Sequence, residues 1–240
     1  MTDITQQTLA AIVTGNHRSV AVLEKYQLDF CCKGKRTLAA ACAEKGLALT
    51  TIAAELQSTG AQEAGRQMPF TDMSAEQLTG YIQTHHHFYV KQSMPVIAGH
   101  LEKVAMKHGD RYPYMAEVFH LFTELQEEMT AHMEQEETVV FPRINETERM
   151  FLAGRDTAAL AGTIPESLSV LETEHEHAGD LMFKIHALTN NYTAPEGACT
   201  TFKVSLAELK EFEEDLHRHV HLENNILFPR AGAAGILELV

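Results

Sequence analysis

The sequence predicts an all-α protein: a four-helix bundle preceded by a small helical domain that carries a Cys-Cys motif. Three observations point there. Trp is absent and Pro sparse, while Ala, Leu, Glu and Gln are plentiful, a composition that favours helix. Four long segments place apolar residues at alternating spacings of three and four, the period of a helix buried along one stripe. One block also occurs twice. His132-Met-Glu-Gln-Glu136, followed by Val139-Val-Phe-Pro-Arg143, is answered 87 residues later by His219-Val-His-Leu-Glu223 and Ile226-Leu-Phe-Pro-Arg230.

Taken in order, residues 1–58 read as an N-terminal domain of short helices. Apolar positions recur through Leu9–Val13, Val20–Leu23 and Leu38–Ala43, and Thr50 or Thr51 is placed to cap a last helix ending near Gln57. Between these helices, Tyr26-Gln-Leu-Asp-Phe-Cys31-Cys32-Lys-Gly34 reads as a turn. Residues 59–71 lose the periodicity and carry Gly and Pro, so they are expected to be a linker. Asp72 or Ser74 then offers an N-cap for the bundle, residues 72–240. Its first stripe runs His87, Val90, Met94, Ile97, Leu101, Val104, His108. The second runs Met115, Val118, Phe122, Leu125, Met129, His132, Glu136, Val139. The third is Leu168, Leu171, His175, Ala178, Met182, Ile185, and the fourth is Phe202, Ser205, Leu209, Phe212, Leu216, His219, Glu223, Ile226. Such stripes are the a/d seams of a bundle. Thr163-Ile-Pro165-Glu166 resembles a capping box that opens the third helix. Pro142 and Pro229 are expected to end the second and fourth helices, and Pro95 to kink the first. The connections are short apart from residues 144–163.

The bulk numbers narrow the class. With 240 residues, 45% of them hydrophobic, the chain can bury a substantial core. A net charge of −14 argues against nucleic acid and anionic membrane surfaces as partners. The start, Met1-Thr-Asp-Ile-Thr, has neither the basic nor the apolar region of a signal peptide, and no apolar run is long enough to span a bilayer. Four Cys are too few and too scattered for a disulfide framework, so a reducing cytoplasm is expected.

The chemistry lies on the seams. His87, His132, Glu136, His175, His219 and Glu223 all fall on apolar stripes, and residues four apart on a helix share a face. His132 therefore points inward with Glu136, and His219 with Glu223. Uncompensated carboxylates in a packed core are costly, so two of them among four imidazoles call for two metal ions. Bridging carboxylates with terminal imidazoles suit iron or manganese, and imidazole also suits zinc and copper. Of His85, His86 and His87, only His87 continues the stripe. Glu137 lies about 100° off the stripe. His177, His217 and His221 each sit two residues from a seam position and are expected to face outward. Glu174 borders the seam as a supporting or access residue. His108, further along the first stripe, is a ligand, a supporting partner or a core-edge residue. Ferritin-like proteins use Glu-x-x-His with acid-rich ligand sets. Here the order is His-x-x-x-Glu and His outnumbers acid, which resembles the hemerythrin-like arrangement.

The chain as a whole resembles the iron–sulfur cluster repair di-iron proteins of the ScdA/YtfE type. The resemblance is carried by the double-Cys stretch Tyr26–Gly34, by Tyr89-Val-Lys-Gln-Ser-Met-Pro95 and by His132-Met-Glu-Gln-Glu136-Glu137 with its Val-Phe-Pro tail. It continues at Glu174-His175-Glu-His-Ala-Gly179, Leu188-Thr-Asn-Asn191 and His219–Arg230. His177 stands where members of that family often carry another residue. The resemblance implies a hemerythrin-like bundle holding two non-haem iron ions, open to an oxo or hydroxo bridge. His87, His132, His175 and His219 would be terminal ligands, and Glu136 and Glu223 would bridge. It also implies a cytoplasmic protein that restores iron–sulfur clusters damaged by nitrosative or oxidative stress, whose partners are the damaged iron–sulfur proteins.

The leading expectation is a labile iron store that supplies those clusters. The alternatives are reduction of nitric oxide at the two irons, and a hemerythrin-like carrier or sensor of oxygen or nitric oxide. Cys31 and Cys32 are expected to act in redox or iron relay, with Lys33, Lys35 and Arg36 favouring the thiolate. Cys42 and Cys199 are expected to be buried packing residues. The sequence leaves open whether the N-terminal domain docks on its own bundle or on a second chain as a homodimer.

Overall fold

The apolar stripes assemble into helices that bury them, and no strand forms among the described residues. The computed structural model describes residues 3–60, 70–162 and 164–231. Most of the expected linker, and Thr163 of the expected capping box, lie outside them.

The N-terminal part has four helices, α1 (Leu9–Gly15), α2 (Ser19–Lys25), α3 (Leu38–Glu44) and α4 (Leu49–Gly60). Thr8 and Thr37 cap α1 and α3 by accepting backbone N–H groups, and the two caps also bridge each other. Helix α4 starts at Leu49, ahead of both Thr50 and Thr51, so neither of those residues is its cap.

The bundle begins at α5 (Ala75–Tyr81), where Ser74 and Gln77 form a reciprocal capping box. After a π-helical stretch, Ile82–His87, the same rod continues as α6 (Phe88–His108), with Pro95 inside it. Next come α7 (Tyr114–Gln135), a π turn at Glu136–Val140, α8 (Phe141–Leu152) and the short α9 (Ala158–Ala161). Helix α10 (Ile164–Leu188) is unbroken. Helix α11 (Thr200–Leu222) leads through a π turn, Glu223–Leu227, into α12 (Phe228–Ala231). Helix α7 packs between α6 and α10, and α11 lies along α6.

The π turns correct three expectations. Each holds one extra residue per turn, which rotates everything after it relative to a continuing α-helix. Val139 is therefore 37% exposed, and Val140 and Phe141 take the inward position. Pro142 does not end the second helix. It falls in the first turn of α8, where a missing N–H leaves no helical bond undone. Pro229 likewise sits inside a continuing run, α12. Residues 144–162 are mostly helical, because α8 extends to Leu152 and packs against α5.

Two apolar clusters result. The larger runs from the N-terminal helices through Val90, Leu101, Phe122, Met129, Leu181, Phe212 and Val220. The smaller holds Leu78, Ile82, Phe141, Leu168, Leu171, Leu222 and Phe228 at the other end of the bundle. The seam His and Glu residues fall between the two.

The N-terminal part docks on its own bundle. Asn225 Nδ2 donates to the carbonyls of Phe30 (3.3 Å) and Cys31 (3.0 Å). The Phe30 ring packs edge-on against His217 and His221.

Candidate metal centre

The layer between the clusters is built from one turn of each of four helices. His87 closes the π stretch before α6, and His132 lies in the last turn of α7 with Glu136 opening the π turn after it. His175 lies mid-way along α10, and His219 and Glu223 repeat the α7 arrangement at the end of α11. All six side chains are buried. Three of the four rods that carry these residues are π-helical at this level, a distortion that occurs mostly at functional sites.

The six residues form two overlapping groups. One is His87, Glu136, His219 and Glu223; the other is His132, Glu136, His175 and Glu223. Within each group the four nitrogen and oxygen atoms lie within 4.8 Å of one another. Both carboxylates belong to both groups, and each group takes two imidazoles. The Nε2 atoms of His87 and His219 are 3.0 Å apart, and those of His132 and His175 are 2.8 Å apart.

Three of the four outer ring nitrogens are tied to supporting groups, and His219 Nδ1 is buried without a partner among the described residues. His87 Nδ1 is 2.7 Å from Glu137 Oε1, which also accepts from Lys91 Nζ. His132 Nδ1 is 2.7 Å from Glu174 Oε2, and His175 Nδ1 is 2.9 Å from Asn224 Oδ1. These contacts fix each ring with Nε2 facing inward, as partners of metal-bound imidazoles do.

The carboxylates test whether cations fit. Both oxygens of Glu136 and Oε2 of Glu223 are buried without a hydrogen-bond partner among the described residues. Ring nitrogens approach them, His87 Nε2 at 3.3 Å from Glu136 Oε2 and His175 Nε2 at 3.2 Å from Glu223 Oε2, but without hydrogen-bond alignment. Buried carboxylate oxygens left this way need a positive partner. The donor set, two imidazole nitrogens and two shared carboxylates per position, fits a pair of borderline divalent or trivalent cations. Without them, protons take that role. Burial opposes the charged form of His87, yet Glu136 and Glu223 raise its pKa to about 10. His132 is raised to about 10 against the same opposition by Glu136 and Glu174. Burial and Glu223 push the Glu136 carboxyl up, but His132 and His87 outweigh them and hold it below its ordinary value.

The other candidates fall in different places. Glu174 supports His132, as its position beside the seam suggests. His108 belongs to neither group; it lies at the far end of α6, with Nε2 3.3 Å from Cys199 Sγ. Cys42 is buried, whereas Cys199 is exposed at the start of α11 rather than packed inside. His177 faces solvent, but His221 is buried and His217 partly so, against expectation. The N-terminal segment covers their face of α11: Thr14 Oγ1 is 3.4 Å from His221 Nε2, and Glu24 is 3.7 Å from His217.

Cys31 and Cys32 are both free thiols, with sulfurs 3.8 Å apart, and Cys32 Sγ is 3.5 Å from the carbonyl oxygen of His175. The expected thiolate at Cys31 is contradicted. The neighbouring Cys32 thiol, burial and the Asp29 carboxylate push the Cys31 thiol well above its ordinary value. The basic residues cannot offset this. Lys33 is exposed, Lys35 reaches toward Glu172, and Arg36 pairs with Glu44.

Sequence reasoning missed Glu137 and Asn224 as ring partners. Each directly follows a seam acid, and that adjacency was the available signal. It also missed Asn225, which ties the double-Cys loop down, and His86, which is buried with Nδ1 3.1 Å from both Asp215 oxygens.

Comparison with known proteins agrees with this geometry. Residues 80–231 match the family model described as the hemerythrin HHE cation binding domain. Residues 5–59 match ScdA_N, described as a domain of unknown function. An iron–sulfur cluster repair protein YtfE from Escherichia coli O81 (strain ED1a) is 34% identical, over 94% of this chain and 96% of the relative. The protein of the same name from Escherichia fergusonii is 33% identical over the same shares.

Proposed function

The chain belongs to the hemerythrin HHE cation-binding family, together with the iron–sulfur cluster repair proteins, and on that premise we propose that it repairs damaged iron–sulfur clusters. The centre holds two non-haem iron ions. His87 and His219 would hold one and His132 and His175 the other, and Glu136 and Glu223 would serve both. When bound, the iron pair supplies redox-active, exchangeable metal. The protein's own part is to orient the rings through Glu137, Glu174 and Asn224 and to keep the layer dry between two apolar clusters.

One observation carries the reading: two fully buried carboxylates with unpaired oxygens are shared by four inward-facing imidazoles, and no thiolate is among the ligand atoms. Four protein groups per ion would leave coordination positions open, through which an iron can exchange ligands and leave. These properties suit an iron donor. Cys31 and Cys32, against the His175 backbone, are assigned a relay role for iron or electrons. The same open positions would also admit nitric oxide or oxygen, which makes reduction of nitric oxide to nitrous oxide the second reading.

We further propose a cytoplasmic location and a division into an N-terminal unit, 1–58, a linker, 59–71, and the bundle, 72–240. Among the described residues no helix is long and apolar enough to cross a membrane. Association of two chains through the N-terminal unit is tested by light scattering at two concentrations.

The deciding experiment is anaerobic loading with labelled iron, metal quantitation, and incubation with an apo-cluster acceptor. Labelled clusters at the acceptor, formed in the presence of a chelator that removes free iron, are expected. Failure of label to pass, with nitrous oxide accumulating over many turnovers, would favour nitric oxide reduction.

A further inference from the structure

We propose that Asp29, Cys31 and Cys32 form a second metal site, for a single thiophilic divalent cation, where the double-Cys loop meets the buried centre. The ligand atoms of these three residues lie within 4.8 Å of one another. Asp29 Oδ1 is the organiser. It accepts the backbone N–H groups of Cys31 (3.1 Å), Cys32 (3.0 Å) and Lys33 (3.3 Å), which curls the chain around the carboxylate. Successive side chains would otherwise diverge. Here both thiols turn to one side, 3.8 Å apart, with Cys31 Sγ 3.3 Å from Asp29 Oδ1.

That separation has a chemical meaning. It is far longer than the ~2.05 Å of a disulfide, which adjacent cysteines form only with strain. It matches the edge of a tetrahedron whose metal–sulfur bonds are about 2.3 Å, for which the sulfurs lie about 3.8 Å apart. Two sulfurs and one carboxylate oxygen make a three-ligand set with a fourth position open, the arrangement of sites that exchange a ligand rather than of closed structural ones. Soft sulfur donors select borderline and soft cations over magnesium or calcium.

The location gives the site its use. Cys32 Sγ is 3.5 Å from the His175 carbonyl oxygen on α10. Asn225, two residues beyond Glu223, holds the Phe30 and Cys31 carbonyls from the other side. A cation at the loop would thus be tethered to both helices that supply His175 and Glu223. Cys31 is buried and Cys32 half-buried, so the loop is reached from solvent at Cys32. The identity of the cation in the cell, iron(II) in transit, rests on the proposed function; the binding itself does not.

The test uses the full chain with its centre loaded with iron, thiols reduced, under anaerobic conditions, titrated with Co2+. One further equivalent of Co2+ is expected, accompanied by sulfur-to-cobalt charge-transfer absorption in the near ultraviolet. The absorption should vanish in the Cys31→Ser, Cys32→Ser double variant. Asp29→Asn keeps an oxygen to accept the loop's N–H groups, so the loop should still form, and Co2+ should bind about tenfold more weakly. Absence of charge-transfer absorption in the unsubstituted protein, or its persistence in the double-serine variant, overturns the site. Equal affinity in Asp29→Asn overturns the third ligand. If Co2+ binds as described but labelled iron never reaches an apo-cluster acceptor, the site stands and the repair reading falls.

Discussion

At the scale of single residues, the centre depends on groups that never face the metal layer. Glu137 shows why. It sits beside Glu136 and off the apolar stripe, yet it meets His87 Nδ1 at 2.7 Å and is itself held by Lys91. Its contact fixes the His87 ring and leaves Nε2 to face inward. Glu137→Ala should therefore weaken metal binding at the His87/His219 position by about 10–100-fold, with little change at the His132/His175 position, whose rings rest on Glu174 and Asn224. Stepwise metal titration followed by calorimetry would resolve the two positions. Equal loss at both would mean that Glu137 acts on the bundle as a whole. The residues legible in the sequence were those on the stripes. Met94, Ile97, Leu101, Leu171, Met182 and Phe212 are all buried where a period of three and four places them. Val139 is the exposed exception, and its exposure follows from the π turn that contains it.

At the scale of elements, the π turns and the double-Cys loop carry the features that periodicity could not reveal. A π turn adds one residue without an obvious sequence mark, and it persists because neighbouring helices hold it. The loop is held by close approach. A Cβ added at Gly34 would lie 2.2 Å from the Phe30 carbonyl oxygen, 2.9 Å from Ala10 Cβ and 3.1 Å from Asn225 Oδ1. The first of these is backbone and cannot swing away. Gly34→Ala should thus lift the loop from Asn225 and cost on the order of 1–3 kcal/mol. The Cys31 thiol, buried in the docked loop, should label faster, while the bundle keeps its metal. Thiol-labelling rates alongside metal quantitation check both halves of that expectation. An unchanged labelling rate would show that the loop tolerates the methyl group.

At the scale of the whole molecule, the N-terminal segment and the bundle share one apolar cluster, and His221 lies between them. Burial lowers the His221 pKa to about 4, from an ordinary value of 6.5. The sign follows directly. The unfolded chain binds a proton here that the folded chain refuses, so stability is complete above pH 6.5 and is lost as pH falls toward 4. The loss amounts to about 3 kcal/mol at most. Thermal melts between pH 7 and pH 4 should show a steeper fall for the unsubstituted protein than for His221→Gln, and identical slopes would remove His221 from the account. The sequence by itself determined the helices, their inward stripes, the internal repeat and the six buried His and Glu residues. These are legible because periodicity is a local property of each helix, and because a His or Glu on an apolar stripe has nowhere else to point. Only the tertiary structure decided how the halves combine. Each of the two buried groups pairs one histidine from each half of the repeat, His87 with His219 and His132 with His175, and both groups contain both acids. It also decided that the N-terminal segment covers His221 and brings Cys32 to His175. Those outcomes depend on packing between helices distant in sequence, which no spacing along a single helix records.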